Sequence, residues 1–111
     1  MCDDKDFLLV CEEVKRLTPF FDFLGISGLC EAVRKATGKY GLTTEFRMNE
    51  DLTERPYAAN VAVIVRHDGE YCNSAHKRRE VHGTGCHEKV MGEAEYEALL
   101  AAIIECFGLK G

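Results

Sequence analysis

Residues 57–76, "YAANVAVIVRHDGEYCNSAH", decide how the rest of the chain is arranged. Two extended runs flank Asp68-Gly69, the residue pair preferred in a two-residue type I′ hairpin turn, which requires positive φ at both positions. A hairpin closed there sets Val65 opposite Cys72, Val63 opposite Ser74 and Val61 opposite His76. The first run is the most apolar in the chain and is predicted to be the central strand.

Working outward, "LTTEFRM" (42–48) has a period of two, with Leu42, Thr44, Phe46 and Met48 on one face of a half-buried strand. The polar "NEDLTERP" (49–56) reads as an exposed loop in which Pro56 keeps Arg55 extended before the next strand. On the other side, "REVHGT" (79–84) offers one more strand, so the meander has three to four. "GEAEYEALLAAIIECF" (92–107) is made of strong helix formers, with Tyr96, Leu99, Leu100, Ile103 and Phe107 on a wide apolar stripe and Gly108 as its stop.

The first forty residues have helical periods instead. Phe7, Val10, Cys11, Val14, Leu17 and Phe21 recur at threes and fours, with Asp3 or Asp4 as N-cap. Thr18-Pro19 opens a short second helix, "PFFDFL", that stops at Gly25. Ser27 caps a third, whose stripe is Leu29, Val33, Ala36 and Tyr40 and whose end is Gly38 or Gly41. Helices, then an antiparallel meander, then a closing helix on the sheet make a two-layer α+β fold, a single domain over 1–111.

With 46% hydrophobic residues the chain can bury one modest core without metals or disulfides. The acidic start and the short "FLLVC" run fit neither a secretory leader nor a membrane span, so a cytoplasmic protein is expected. Six cysteines at 2, 11, 30, 72, 86 and 106, with no CxxC, read as thiols in a reducing compartment; Cys11, Cys30 and Cys106 fall beside apolar helical positions, where a thiol packs as a small hydrophobe. A net charge of −5 argues against a protein that coats nucleic acid. The charge is uneven: in residues 75–89, "AHKRREVHGTGCHEK", Lys77, Arg78, Arg79 and Lys89 outnumber Glu80 and Glu88 by two.

That stretch is where a site is expected, if anywhere. The spacing Cys72-x3-His76-x5-His82-x3-Cys86 superficially suits zinc, but a strand sets Cys72 and His76 roughly 13 Å apart at about 3.3 Å per residue, too far for one ion. His82 with Cys86 or His87 across Gly83-Thr84-Gly85 keeps the better geometry for a metal; neither metal nor cofactor is assigned. A phosphate cradle would use Lys77, Arg78, Arg79, His82, Thr84 and His87, since a glycine-rich turn before a helix exposes backbone N–H groups. Against it, Glu93, Glu95 and Glu97 already complement the helix dipole and repel an anion there. Cys86-His87 are neighbours without the geometry of a catalytic pair, and Asp22, Asp51 and Asp68 are placed in separate loops, so catalysis is not the expectation.

Two stretches resemble known families. Helix, three strands, helix from Ile26 to Phe107, with "GTG" before the last helix, resembles a double-stranded-RNA-binding domain, which implies phosphate contacts there; this chain has Glu88-Lys89 where that family carries a lysine pair. "AEYEALLAAI" (94–103) resembles the first helix of ribonuclease-H-like enzymes, which implies a metal-binding role for Glu95, but the further strand aspartates of those enzymes have no place after Gly111. Neither family is adopted.

The expected function is therefore binding through charged surfaces, with a protein partner foremost and an inhibitor or regulator of a nucleic-acid-handling protein as the specific form. The acidic loop, with Glu50, Asp51 and Glu54, would face a basic groove. The alternative is a nucleotide or nucleic-acid binder using the basic, histidine-bearing edge 76–89. The closing helix is apolar around more of its circumference than one sheet requires, which adds a homodimer through that helix to the expectations.

Overall fold

Asp68 (φ 51°) and Gly69 (φ 81°) both occupy the left-handed region, as the type I′ turn demands. The computed structural model describes residues 5–54, 56–81 and 88–109. Around the turn, β2 (Tyr57–His67) and β3 (Glu70–Val81) pair antiparallel, with His67 opposite Glu70 and Arg66 opposite Tyr71. A bulge between Val65 and Arg66 then moves the register by one: Val65 faces Asn73, Val63 faces Ala75 and Val61 faces Lys77, not Cys72, Ser74 and His76 as the plain hairpin predicts. Burial explains the slip. An unbroken alternation would carry Ser74, His76, Arg78 and Glu80 inward with Cys72; the extra residue lets Cys72, Ala75 and Val81 all be buried, three apart and then six.

β1 (Leu42–Asp51) completes the sheet in the order β1-β2-β3, so the apolar strand is central as expected. Its pairing runs as far as Asp51 opposite Ala58, which puts Asn49, Glu50 and Asp51 in the strand and shortens the expected loop. Hydrogen-bonding to β2 satisfies their backbone groups whatever the polarity of the side chains. Arg79, Glu80 and Val81 continue β3 and form no separate strand, while the rest of the expected fourth strand lies outside the described residues.

Helix α1 (Lys5–Leu17) leads through a 3-10 turn (Thr18–Phe20) into α2 (Phe21–Gly38), whose backbone breaks at Gly25 (φ 67°, ψ −176°). Because Gly25 leaves the helical region, the short helix expected before it and the helix expected after it are two helices meeting end to end, here under the single label α2. The Asp3 and Asp4 caps lie outside the described residues. α3 (Glu88–Cys106) begins four residues before the expected Gly92. It closes in a Schellman motif: Gly108 (φ 65°) donates its N–H to Glu105 O at 3.3 Å, and Leu109 donates to Ile104 O at 2.8 Å.

α2 covers β1, α3 covers β2 and β3, and α1 packs on α2, giving the two-layer α+β arrangement. Val61, Val63 and Val65 form one buried cluster with Leu29 and Val33 of α2, Leu99 and Ile103 of α3, and Val10 and Val14 of α1. The rings of Phe7 and Phe107 stack at 6.0 Å, and Tyr96 donates its hydroxyl to Phe21 O at 2.8 Å. Among the described residues no helix is long and apolar enough to cross a membrane.

A buried threonine pair joins α2 to β1. Thr37 donates to the helix carbonyls of Val33 and Arg34, at 3.1 and 3.0 Å, and accepts from the Thr44 hydroxyl at 3.0 Å. Thr37→Val removes the acceptor of Thr44 and strands a buried hydroxyl, a cost of about 1–3 kcal/mol. Thr44→Val leaves Thr37 bonded to its own helix and costs less than about 1 kcal/mol. Urea denaturation of the two variants checks the order, and equal losses would contradict the assigned direction of donation.

Candidate functional site

The period of β3 divides the basic triplet between the two faces of the sheet. Lys77 and Arg79 point to the helix side: Lys77 Nζ lies 3.0 Å from Glu105 Oε1 and Arg79 Nε lies 3.3 Å from Glu97 Oε2, both on α3. Arg78 points to the open face, where its guanidinium reaches Asp51 Oδ2 at 3.3 Å, across β2. One member of the expected acidic surface thus neutralises one member of the expected basic surface. Asp51 also accepts from the hydroxyl and backbone N–H of Thr53, at 2.7 and 3.2 Å. Those bonds, with the Arg78 charge, hold its carboxyl below the ordinary range. His82, Thr84 and His87 lie outside the described residues, as does Cys86.

The remaining acids behave differently. Glu50 follows Leu42, Thr44, Phe46 and Met48 on the helix-facing side of β1, beyond the cover of α2, and there its carboxyl meets that of Glu95 on α3. Burial first, then the charge of Glu50 and a hydrogen bond with it, push Glu95 above the ordinary carboxyl range. Glu54 is exposed in the connection to β2. Among the described residues no lysine, arginine or histidine lies within salt-bridge distance of Glu50, Glu54 or Glu95. Met48 and Leu52, 38% and 50% exposed, flank Glu50 in the chain. Met48 also lines a 330 Å³ cleft with Ile26, Ser27, Cys30 and Arg34. The result is an acidic edge with apolar contact points, on a sheet whose far strand, β3, has its cations Lys77, Arg78 and Arg79 already engaged.

Glu95 carries a stability cost of definite sign. A carboxyl whose folded pKa is raised binds its proton more tightly folded than unfolded, so stability is fullest below the ordinary value and falls as pH rises through the folded pKa. Glu95→Gln removes the charge and is expected to stabilise by about 0.5 kcal/mol at pH 7. The corresponding Tm rise is about 2 °C. The gain should shrink as pH falls below the ordinary carboxyl range; a constant gain at all pH values would place the effect elsewhere than in the carboxyl pair.

Among the described residues, Cys30, Cys72 and Cys106 are poorly placed for nucleophilic chemistry. Cys72 is buried at 3% exposure, and His76 is exposed on the opposite face of the same strand, so those two do not converge on one ion. No group of three or more metal-ligating side chains forms among the described residues. Burial raises the Cys30 thiol and pushes Cys106 up to about 12, which keeps both protonated and poorly nucleophilic near neutral pH. Asp22 sits in the first turn of α2 and Asp51 in β1, not in loops, and the carboxyl pair that does form joins Glu50 and Glu95. Extending the two-residue period of β1 past Met48 is the signal that would have placed Glu50 on the helix side. No protein-family model, curated protein or solved structure matches this chain.

Proposed function

We propose that this is a non-catalytic binding protein that presents the acidic edge of Glu50, Glu54 and Glu95, with Met48 and Leu52 beside it, to a basic surface of a protein partner. Carrying this reading is the meeting of the Glu50 and Glu95 carboxyls with no described cation near them, while Lys77, Arg78 and Arg79 are each held by an acid. A partner's lysine or arginine would relieve that repulsion, so association gains from charge the free protein holds at a cost. A nucleic-acid-handling protein, whose binding groove is basic by necessity, is the partner class that best fits, and occupying such a groove would regulate or inhibit it. The phosphate-binding alternative would require the three cations to leave Glu105, Asp51 and Glu97. A reducing compartment, the cytoplasm, suits the burial of Cys30, Cys72 and Cys106 as apolar members of the core.

Titration at low salt with a lysine-rich helical peptide tests the reading. Binding should weaken as salt rises. It should survive Arg78→Gln, because Arg78 serves only within the molecule. A protein that instead binds a single-stranded oligonucleotide and ignores the peptide would refute it.

A further inference from the structure

β1 is an edge strand that lacks the devices by which sheets keep their edges apart. Among the described residues its only neighbour in the sheet is β2. The register against β2 runs unbroken from Leu42 to Asp51, and the strand contains no bulge, proline or lysine. The opposite edge is different: β3 is irregular where it passes Val65 and Arg66 and carries Lys77, Arg78 and Arg79 in a row. The outward N–H and C=O groups of β1 therefore form a ladder that can accept one more strand.

We propose that this strand is β1 of a second copy, paired antiparallel about a two-fold axis at Phe46, so that two sheets join edge to edge. A strand that pairs with itself keeps its two faces in line only when the axis passes through a residue, which leaves few registers. An axis at Glu45 sets Glu45 against itself, and one at Arg47 sets Arg47 against itself. An axis at Phe46 places Glu45 of each copy opposite Arg47 of the other, twice, on the open face of the sheet. Within one chain Glu45 accepts from Arg47 through Nε and from Arg66 through Nη1. The terminal nitrogens of Arg47, on a side chain 65% exposed, are then the donors that reach the second carboxylate. On the helix side the same axis brings Phe46 against its copy and Thr44 against the second Met48. Phe46 is half-buried, with the Arg34 guanidinium 5.2 Å from its ring centre, and Met48 is 38% exposed, so pairing covers apolar surface there. Pairing from Thr43 to Asn49 supplies about six to eight backbone hydrogen bonds, approaching the roughly ten of a standard interface without a large apolar patch. Glu50, Glu54 and Glu95 lie beyond that stretch, and this inference does not rest on the acidic edge.

Analytical ultracentrifugation over a concentration series to about 0.5 mM should show monomer giving way to dimer. Arg47→Glu opposes like charges at both crossings and should weaken the dimer about tenfold, as should Glu45→Arg. Mixing the two variants restores opposite charges at both crossings, so the mixed dimer should be at least about tenfold tighter than either variant with itself. Circular dichroism verifies that both variants fold, Glu45→Arg in particular because it gives up the Arg66 bond. In the unaltered chain, alternate amides between Thr43 and Asn49 should gain protection from hydrogen exchange as protein concentration rises. Glu54→Gln with Glu95→Gln should weaken peptide binding and leave the dimer unchanged, which separates failure here from failure of the acidic edge. A wild-type monomer throughout, a dimer indifferent to the charge at Arg47, a mixture of folded variants no tighter than its components, or protection that ignores concentration would each overturn the proposal.

Discussion

Leu99→Ala is expected to lower the unfolding free energy by about 2–5 kcal/mol, among the largest single-residue losses in the molecule. Leu99 is fully buried and belongs to the cluster that joins α3 to the valines of β2 and to Leu29 and Val33 of α2. The sheet backbone is pinned by pairing on both sides of β2, so the site cannot close over the missing methyls and a cavity remains. Domains of this size have about 5–15 kcal/mol in total, so the variant would be marginal near 37 °C. Leu100, the next residue, is only half-buried on the outer side of α3, and Leu100→Ala should cost less than about 1.5 kcal/mol. Chemical denaturation of both variants reads the contrast. Similar losses would mean that α3 is rotated from the orientation described.

The second large effect is on binding. Replacing Glu50, Glu54 and Glu95 together with glutamine should weaken association with a lysine-rich helical peptide by about 10- to 100-fold at low salt. In the same variant, thermal stability should rise, because the Glu50–Glu95 repulsion is gone. Opposite signs in the two measurements are diagnostic. A variant that merely unfolded would lose both, and a surface that took no part in recognition would gain stability with binding intact. Glu13, Glu45 and Asp51 do not belong in this set. Lys39 above all lowers Glu13, Arg47 and Arg66 lower Glu45, and the Thr53 bonds lower Asp51, so these carboxylates stabilise the fold above their ordinary range and lose that contribution on acidification.

Much of the fold is legible in local chemistry. Asp68-Gly69 can form one kind of turn, the break at Gly25 and the stop at Gly108 need positive φ, and the valines of β2 require a place between two neighbours. The bulge at the base of β3 is not local. It is set by which side chains of β3 win burial beneath α3, and Cys72 and Ala75 outcompete Ser74 and His76 only once the helix is in place. The extent of β1 escaped for a related reason: polar Asn49, Glu50 and Asp51 look like a loop until Ala58, Ala59 and Asn60 are there to pair with them.

The candidate surfaces were legible in composition but not in partnership. "KRR" reads as a patch of positive charge, whereas alternation sends Lys77 and Arg79 to α3 and Arg78 to Asp51. Each acid lies far away in sequence, so spacing could not reveal the neutralisation. Glu95 looked like one of several solvated glutamates on a helix. Only the packing of α3 beside the end of β1 makes it a neighbour of Glu50.

Amide chemical-shift mapping during titration with the lysine-rich peptide at low salt tests the central claim most directly. Perturbations confined to residues 48–54 and to the turn of α3 around Glu95, fading as salt is added, are the predicted result. Perturbations at residues 76–81 on adding an oligonucleotide, with the acidic edge silent toward the peptide, would contradict it.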